Sequence, residues 1–260
     1  MKCAIATIAI GENHQSAYET IFKPSVQRYA DRHGYDLIVF PDYIGDDKYR
    51  DLRFVTFMKM LLPYSEAIRG YDKVMVLDVD ILVNAKTPPF HTIDTGGKIG
   101  VVDEWCQPSR EERVKFQIIN GLETSAREYY ALADFRLESE ILINSGVFIC
   151  TPRVHGAFFR DIVGRHIEMQ GRHPRGLHFE QAMFGYELQT NDLAHLLPGA
   201  WNRLWPHHRR TAKWNAPDRA ADVAQRWSDL KRFREVFDTS YLLHMTGGQD
   251  HDLAFMSRNR

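Results

Sequence analysis

The chain has 260 residues, 44% of them hydrophobic, and 33 Lys plus Arg stand against 34 Asp plus Glu for a net charge of −1. That length supports a substantial core, as one domain or one domain with a subdomain, and the balanced charge excludes the one-signed field that bulk nucleic-acid binding needs. Three scattered cysteines, Cys3, Cys106 and Cys150, form no CxxC pair, which argues for a reducing compartment and against a disulfide scaffold or structural zinc. No apolar run reaches 18 residues, so no membrane span is predicted. The opening MKCAIATIAIGENH reads as a first strand, because a signal peptide needs a longer apolar region and a cleavage site.

Residues 2–10 are predicted as a buried strand ending at Gly11, followed by a helix from Gln15 to Arg32. YDLIVFPD (35–42) is a second strand, and a polar loop leads to a helix from Leu52 to Ile68. Phe54, Phe57, Met58, Leu61 and Leu62 recur there at helical spacing, and Gly70 stops it. KVMVLDVDILV (73–83) is predicted as one continuous third strand and KIGVVDEW (98–105) as a fourth. Residues 106–138 are charged and helical in flavour, and read as a lid, an acceptor-binding insertion or a solvated helix pair. ESEILINSGVFICTP (138–152) is a strand interrupted by NSG. Helices are predicted near 153–169 and 178–189, then an aromatic strand-and-turn stretch, LLPGAWNRLWP. A last helix spans Arg219 to Val236, and YLLHMTGG is a short strand carrying His244. Alternating strands and helices predict a parallel sheet with helices on both faces, which binds ligands beyond the carboxyl ends of its strands. No GxGxxG or GxxxxGK[ST] is present, so neither dinucleotide nor P-loop binding is supported.

Asp78 and Asp80 stand out because they interrupt the most strand-like segment. In a strand, residues i and i+2 share a side, so the two carboxylates would repel each other and carry a large desolvation cost if buried. A divalent cation with oxygen ligands, Mg²⁺ or Mn²⁺, removes both penalties and commonly holds substrate phosphates. The D-x-D spacing alone is weak, with about one match per chain of this size by chance. A second match, Asp250 to Asp252, lies in a polar tail. The alternative for Asp78 and Asp80 is a turn at a strand edge.

YDKVMVLDVDILV resembles the D-x-D strand of nucleotide-sugar-dependent glycosyltransferases of the GT-A fold, most nearly the retaining group that includes glycogenin and bacterial lipopolysaccharide galactosyltransferases (glycosyltransferase family 8-like). AIATIAIGENHQSAY resembles that group's first strand and nucleotide-binding turn, FMKMLLPY its helix carrying a donor-side lysine, INSGVFICTP its N-S-G-x-F strand, HFEQAMFGY its D-Q helix, and LLHMTGG its late H-x-x-G segment. The ordered set spans residues 4 to about 248.

The resemblance implies an α/β GT-A fold: Rossmann-like, one domain over 1–260, with a nucleotide-binding half (1–105) and an acceptor and metal-completing half (106–260). It implies a metal held by Asp78, Asp80 and His244, with Asp78 also near the ribose. The imidazole favours Mn²⁺ over Mg²⁺. Thr7, Ile8, Lys59, Asn144, Ser145, Gly146, Gly247 and Gly248 are expected to contact the nucleotide sugar, the two late glycines by letting backbone N–H groups approach the diphosphate. Glu180, Gln181 and Asp103 are the catalytic residues the resemblance implies, expected at the sugar. Residue-level alternatives are a turn role for Asp103, helix decoration for Glu180, a snorkelling lysine at Lys59, a β-bulge at NSG and a strand-end histidine at His244. Glu180 stands where the family has Asp, and Asp250 stands where glycogenin-like members have a lysine. Arg53, Lys59, Lys213 and the run His207–Arg210 are candidates for the leaving-group clamp, the run being otherwise a solvated loop.

The implied activity is transfer of a sugar from a nucleoside diphosphate, UDP by expectation, to a glycan or glycolipid hydroxyl, with retention. The expected location is cytoplasmic, with peripheral membrane contact left open. Alternatives are an inverting transferase with Asp103 or Glu180 as base, or a relative that binds without turnover. A sugar nucleotidylyltransferase is disfavoured, since IAIGENHQSAY lacks its G-x-G-T-R-L loop.

Overall fold

The computed structural model describes residues 1–51, 54–170, 180–208 and 223–246, without the side chains of Lys48, Met169, Gln170 and 223–229. Gly247, Gly248, Arg53, Lys213, Arg209, Arg210 and the Asp250–Asp252 match lie outside these residues.

Six strands form the central sheet in the order β2-β1-β3-β6-β5-β7. They are β1 (Cys3–Ile8), β2 (Asp36–Phe40), β3 (Lys73–Leu77), β5 (Ile99–Asp103), β6 (Ile143–Cys150) and β7 (Ala194–Leu196). Five run parallel, and β6 is antiparallel to both its neighbours. A second sheet joins β4 (Ile81–Val83), β9 (Leu242–His244) and β8 (Arg203–Leu204) in the order β4-β9-β8. The mostly parallel sheet follows the sequence reading.

Both faces of the large sheet are buried, which explains the near-continuous apolar runs of its inner strands. Ala4, Ala6, Val74, Val76 and Phe148 face one layer, with α3 (Val55–Leu61), α6 (Pro152–Gln170) and α7 (Glu180–Thr190). Phe148 packs there against Phe159 and Phe184. Cys3, Ile5, Met75, Leu77, Val147 and Ile149 face the other layer, against Val26, Tyr29 and Ala30 of α2 (Lys23–His33) and strands of the small sheet. Each fully buried aliphatic side chain contributes about 1.5–3 kcal/mol of transfer free energy.

Several elements differ from expectation for identifiable reasons. The helix expected over Leu52–Ile68 is short, because Pro63 lies in the 3-10 turn Leu62–Tyr64 and cannot continue an α ladder. The first helix starts earlier, as α1 (Glu12–Ala17), and passes through a π turn, Tyr18–Phe22, into α2. The charged stretch after β5 does form two helices, α4 (Arg110–Asn120) and α5 (Ala126–Leu132). Ser109 and Ser125 cap them, each accepting from a glutamate N–H three residues on, Glu112 and Glu128.

The largest correction concerns residues 73–83, which are not one strand. β3 ends at Leu77 and β4 begins at Ile81 in the other sheet. Asp78–Asp80 is the turn by which the chain leaves one sheet for the other, in keeping with the low strand propensity of aspartate. Conversely, NSG does not interrupt β6, which is continuous from Ile143 to Cys150. Its register against β5 shifts between Gly100–Ile149 and Val102–Asn144, an irregularity of the ladder that includes NSG.

Close packing of α6 against the 3-10 turn depends on Gly156, where a Cβ would lie 2.9 Å from the Pro63 carbonyl oxygen and 3.3 Å from Tyr64 Cα. Gly156→Ala is expected to cost about 1–3 kcal/mol through overpacking, read as a lower urea midpoint at unchanged slope. An unchanged midpoint would show that the helix shifts freely.

Candidate active site

The carboxyl ends of β1, β3 and β5 and the start of antiparallel β6 share one edge of the sheet, and the polar side chains converge there. A cleft of about 380 Å³ opens at this edge. Ile8, Ile10, Tyr18, Phe22 and Val79 form much of its apolar wall, while Lys59, Asp78, Asp80, Glu180 and Gln181 form its polar floor.

The turn Asp78–Asp80 faces β9, which pairs Ile81 with His244. His244 Nε2 lies 3.2 Å from Asp80 Oδ1 and 3.7 Å from Asp78 Oδ2. One donor atom from each of Asp78, Asp80 and His244 lies within 4.8 Å of the others. The expectation that the aspartates lie side by side along a strand was wrong in mechanism, since a bend presents both to one histidine. His244 is buried, and both aspartates are about a quarter exposed. Two carboxylates and one imidazole at this spacing form a donor set that fits a divalent ion, and the nitrogen suits Mn²⁺ better than Mg²⁺.

Lys59, on α3, is no snorkelling lysine. It is 4% exposed, and its Nζ donates to Asp78 Oδ1 at 2.8 Å and Oδ2 at 2.9 Å, with Glu180 Oε1 at 3.5 Å. Burial disfavours its charge, but Asp78 and Glu180 outweigh that and raise its pKa. Burial likewise opposes charge on Asp80 and His244, and their mutual attraction overcomes it: the Asp80 pKa falls and the His244 pKa rises. Three carboxylates thus share one lysine and one histidine, which leaves negative charge for a cation to offset.

Glu180 and Gln181 open α7 at the cleft. Glu180 Oε1 accepts from Ser145 Oγ at 3.2 Å, and its buried Oε2 has no protein partner. Gln181 donates to Glu104 Oε2 at 3.1 Å, and Asn144 Nδ2 donates to the same oxygen at 2.7 Å. Gly146 packs directly under His244: a Cβ there would lie 2.2 Å from His244 Cε1. Ile8 lines the cleft; Thr7, just before it in β1, is buried with an unpartnered hydroxyl. Asp103 takes the turn role, its Oδ1 accepting from the backbone N–H of Trp105 at 2.9 Å and of Leu142 at 3.1 Å, and its Oδ2 lies 3.1 Å from the Cys106 thiol.

The residues that sequence reasoning missed are Glu104, Arg113 and Asn202. Glu104 is 5% exposed and also accepts from Arg113 at 2.5 Å. Arg113 and Gln117 are the buried residues of α4, a polar stripe four residues apart that marks the inward face of an otherwise charged helix. Asn202 is the polar residue within GAWNRLW and is fully buried. Of the run His207–Arg210, only His207 and His208 are described, and they are no solvated loop: they belong to the short helix α8 (Trp205–His208) and are buried.

A scan against protein-family models and a search of curated proteins both give no match. Solved structures do match. A glycosyltransferase involved in the glycosylation of the major capsid of PBCV-1 superposes with a TM-score of 0.56 at 12% identity, over 98% of this chain and 99% of that one. The galactosyltransferase LgtC, in complex with donor and acceptor sugar analogs, gives 0.56 at 14% identity, over 98% and 95%. The fold is GT-A. The bifunctional glycosyltransferase WbbM matches at 0.59 and 14% identity over 95% of this chain and 46% of its own. These likenesses span nearly the whole chain and place the Asp78–Asp80 turn in a GT-A setting.

Two outcomes follow from this geometry. Gly146→Ala is expected to displace His244 and weaken Mn²⁺ binding about tenfold or more, read by calorimetric titration; wild-type affinity would mean that the ring yields without cost. His208 is held down to about 3 by burial, aided by Arg203 and Arg232. The unfolded chain therefore takes up a proton below about pH 6.5 that the folded chain refuses, so stability is full above that value and falls as pH drops. The urea midpoint should decline toward about pH 4, and His208→Gln should flatten the decline. An equal slope in the variant would exclude His208 as a source.

Proposed function

We propose that this protein is a metal-dependent glycosyltransferase that moves a sugar from a nucleoside diphosphate, UDP in the first instance, to a glycan or glycolipid hydroxyl with retention of configuration. The observation that carries the reading is the Asp78–Asp80–His244 donor set on the floor of a cleft at the carboxyl edge of a GT-A sheet. Asp78, Asp80 and His244 would hold the ion, Mn²⁺ in preference to Mg²⁺. When bound, the ion supplies charge neutralisation for the departing diphosphate.

The remaining work falls to the chain's own residues. Lys59 orients Asp78 by donating to both of its carboxylate oxygens, and its charge lies close enough to support the donor side. The apolar wall formed by Ile8, Ile10, Tyr18 and Phe22 excludes water from the nucleoside. Glu180, fixed through one oxygen by Ser145 and Lys59, keeps the other free to accept a sugar hydroxyl. Asn144, Ser145, Gly146 and Gln181 form the wall beside it. Thr7, Gly247 and Gly248 remain assigned to the nucleotide. Asp103, committed to backbone N–H groups, contributes by shaping the turn that carries Glu104. No cleft carboxylate is free of partners on both oxygens to serve as a strong nucleophile. We therefore favour front-face attack, in which the acceptor oxygen bonds to the anomeric carbon as its bond to the diphosphate oxygen breaks, the leaving oxygen taking the acceptor's proton.

Residues 1–105 form the donor half in this reading and 106–260 the acceptor half. No helix among the described residues is long and apolar enough to cross a membrane.

Incubating the protein with UDP-sugars and Mn²⁺, with and without glycan acceptors, should release UDP. Asp80→Asn should cut this release by about 100-fold or more and remove metal-dependent UDP binding without unfolding the chain. Absence of release with every common nucleotide sugar, or unchanged binding in the variant, would overturn the assignment.

A further inference from the structure

We propose that Asn202 is a positioning residue that fixes the His244 ring as its Nδ1–H tautomer, so that the Nε2 lone pair is presented to a cation between Asp78 and Asp80. The inference rests on the metal reading above but begins from a hydrogen-bond chain that can be oriented without it. Amide oxygens and nitrogens are interchangeable in outline, so direction must come from a group whose role is not in question. Here that group is the Gly146 backbone N–H, which can only donate. It lies 2.8 Å from one amide terminus of Asn144, making that terminus the oxygen, Oδ1. The opposite terminus then donates to the Glu104 carboxylate at 2.7 Å, which agrees.

Asn202 contacts the same Asn144 Oδ1 at 2.6 Å. Two amide oxygens at that distance would repel, so Asn202 must present Nδ2 there. Its own Oδ1 is thereby turned toward His244 Nδ1, 3.1 Å away. An oxygen opposite a ring nitrogen requires that nitrogen to carry the proton. His244 therefore donates from Nδ1 to Asn202 whether or not Nε2 also carries a proton toward Asp80, and Nε2, facing the two aspartates, is the nitrogen a cation would meet. Direction passes from a backbone amide through two asparagines to a metal-side nitrogen.

Asn202 has no freedom to reverse this order. It is fully buried, and its own carbonyl accepts from Gln107 Nε2 at 2.8 Å, while Gln107 Oε1 accepts from Leu204 N–H at 3.0 Å. The residue is clamped at both ends in a region where an unpaired amide would be costly. A partner on the far ring nitrogen sets the orientation and basicity of a histidine ligand, and losing it typically costs 10–100-fold in metal affinity.

The test uses the full chain, titrated calorimetrically with Mn²⁺ alone. Asn202→Thr and Asn202→Val match in shape, but only threonine keeps a hydroxyl that can donate to Asn144 Oδ1 and accept from His244 Nδ1–H. Asn202→Val should bind Mn²⁺ about 10–100-fold more weakly than the wild type, and Asn202→Thr should recover most of that loss. Equal Mn²⁺ affinities in the two folded variants, or wild-type affinity in Asn202→Val, would overturn the proposal. Should either fail to fold, Asn202→Ser set against Asn202→Ala asks the same question. Failure of the wild type to bind Mn²⁺ would count against the proposed function, whereas equal binding by the paired variants counts against the role of Asn202 alone.

Discussion

The site depends on one constraint: carboxylates drawn into the edge of a protein core must find compensating charge within the chain. Asp78, Asp80 and Glu180 meet that need through Lys59 and His244. Removing one partner of such a pair commonly costs about 3–5 kcal/mol, more than the pair itself contributes. The arrangement is thus held less by its own attraction than by the penalty for dismantling it. That penalty also determines the neighbours, because a lysine with two carboxylates and a histidine wedged above a glycine leave few alternatives for β6 and α7.

A second layer of the same logic lies behind the first. Glu104 is too deep to be left bare, and it is satisfied by Arg113, Asn144 and Gln181. Through Arg113 the helix α4 is tied to the cleft wall, so the charged stretch after β5 is anchored inward by one buried ion pair while its remaining charges face solvent. Both oxygens of Glu104 are paired, and pairing of this kind stiffens a polar network, which is what a site that must hold a small ligand in register requires.

Much of this was legible in the sequence, and the rest was not for specific reasons. The near-continuous apolar runs of β1 and β3 and the order of strands and helices were enough for the sheet. The residues Asp78, Asp80, Lys59, Glu180, Gln181, Asn144, Ser145, Gly146 and His244 were all singled out, and they do converge. The break at Asp78 was missed because Ile81, Leu82 and Val83 continue the apolar run; composition cannot show that they pair with β9 instead of β1. Glu104 was masked by Asp103 next to it, since two adjacent acids at a strand end look like one turn. Asn202 and Arg113 were invisible for another reason. A lone polar residue signals burial only when its partners are known, and these partners come from segments far away in the chain.

The distances along the chain have a consequence for how the site comes into being. Lys59 is 19 residues from Asp78, whereas His244 stands more than half the chain away from both aspartates, on the last of the described strands. Local contacts close early and long loops late, and synthesis runs from the N-terminus. The lysine can therefore neutralise Asp78 as soon as α3 and β3 exist, while Asp80 waits for the docking of β9. Maturation of the proposed ion site thus coincides with closure of the small sheet, so a chain able to gather all three ligands is one in which β4, β9 and β8 have already joined.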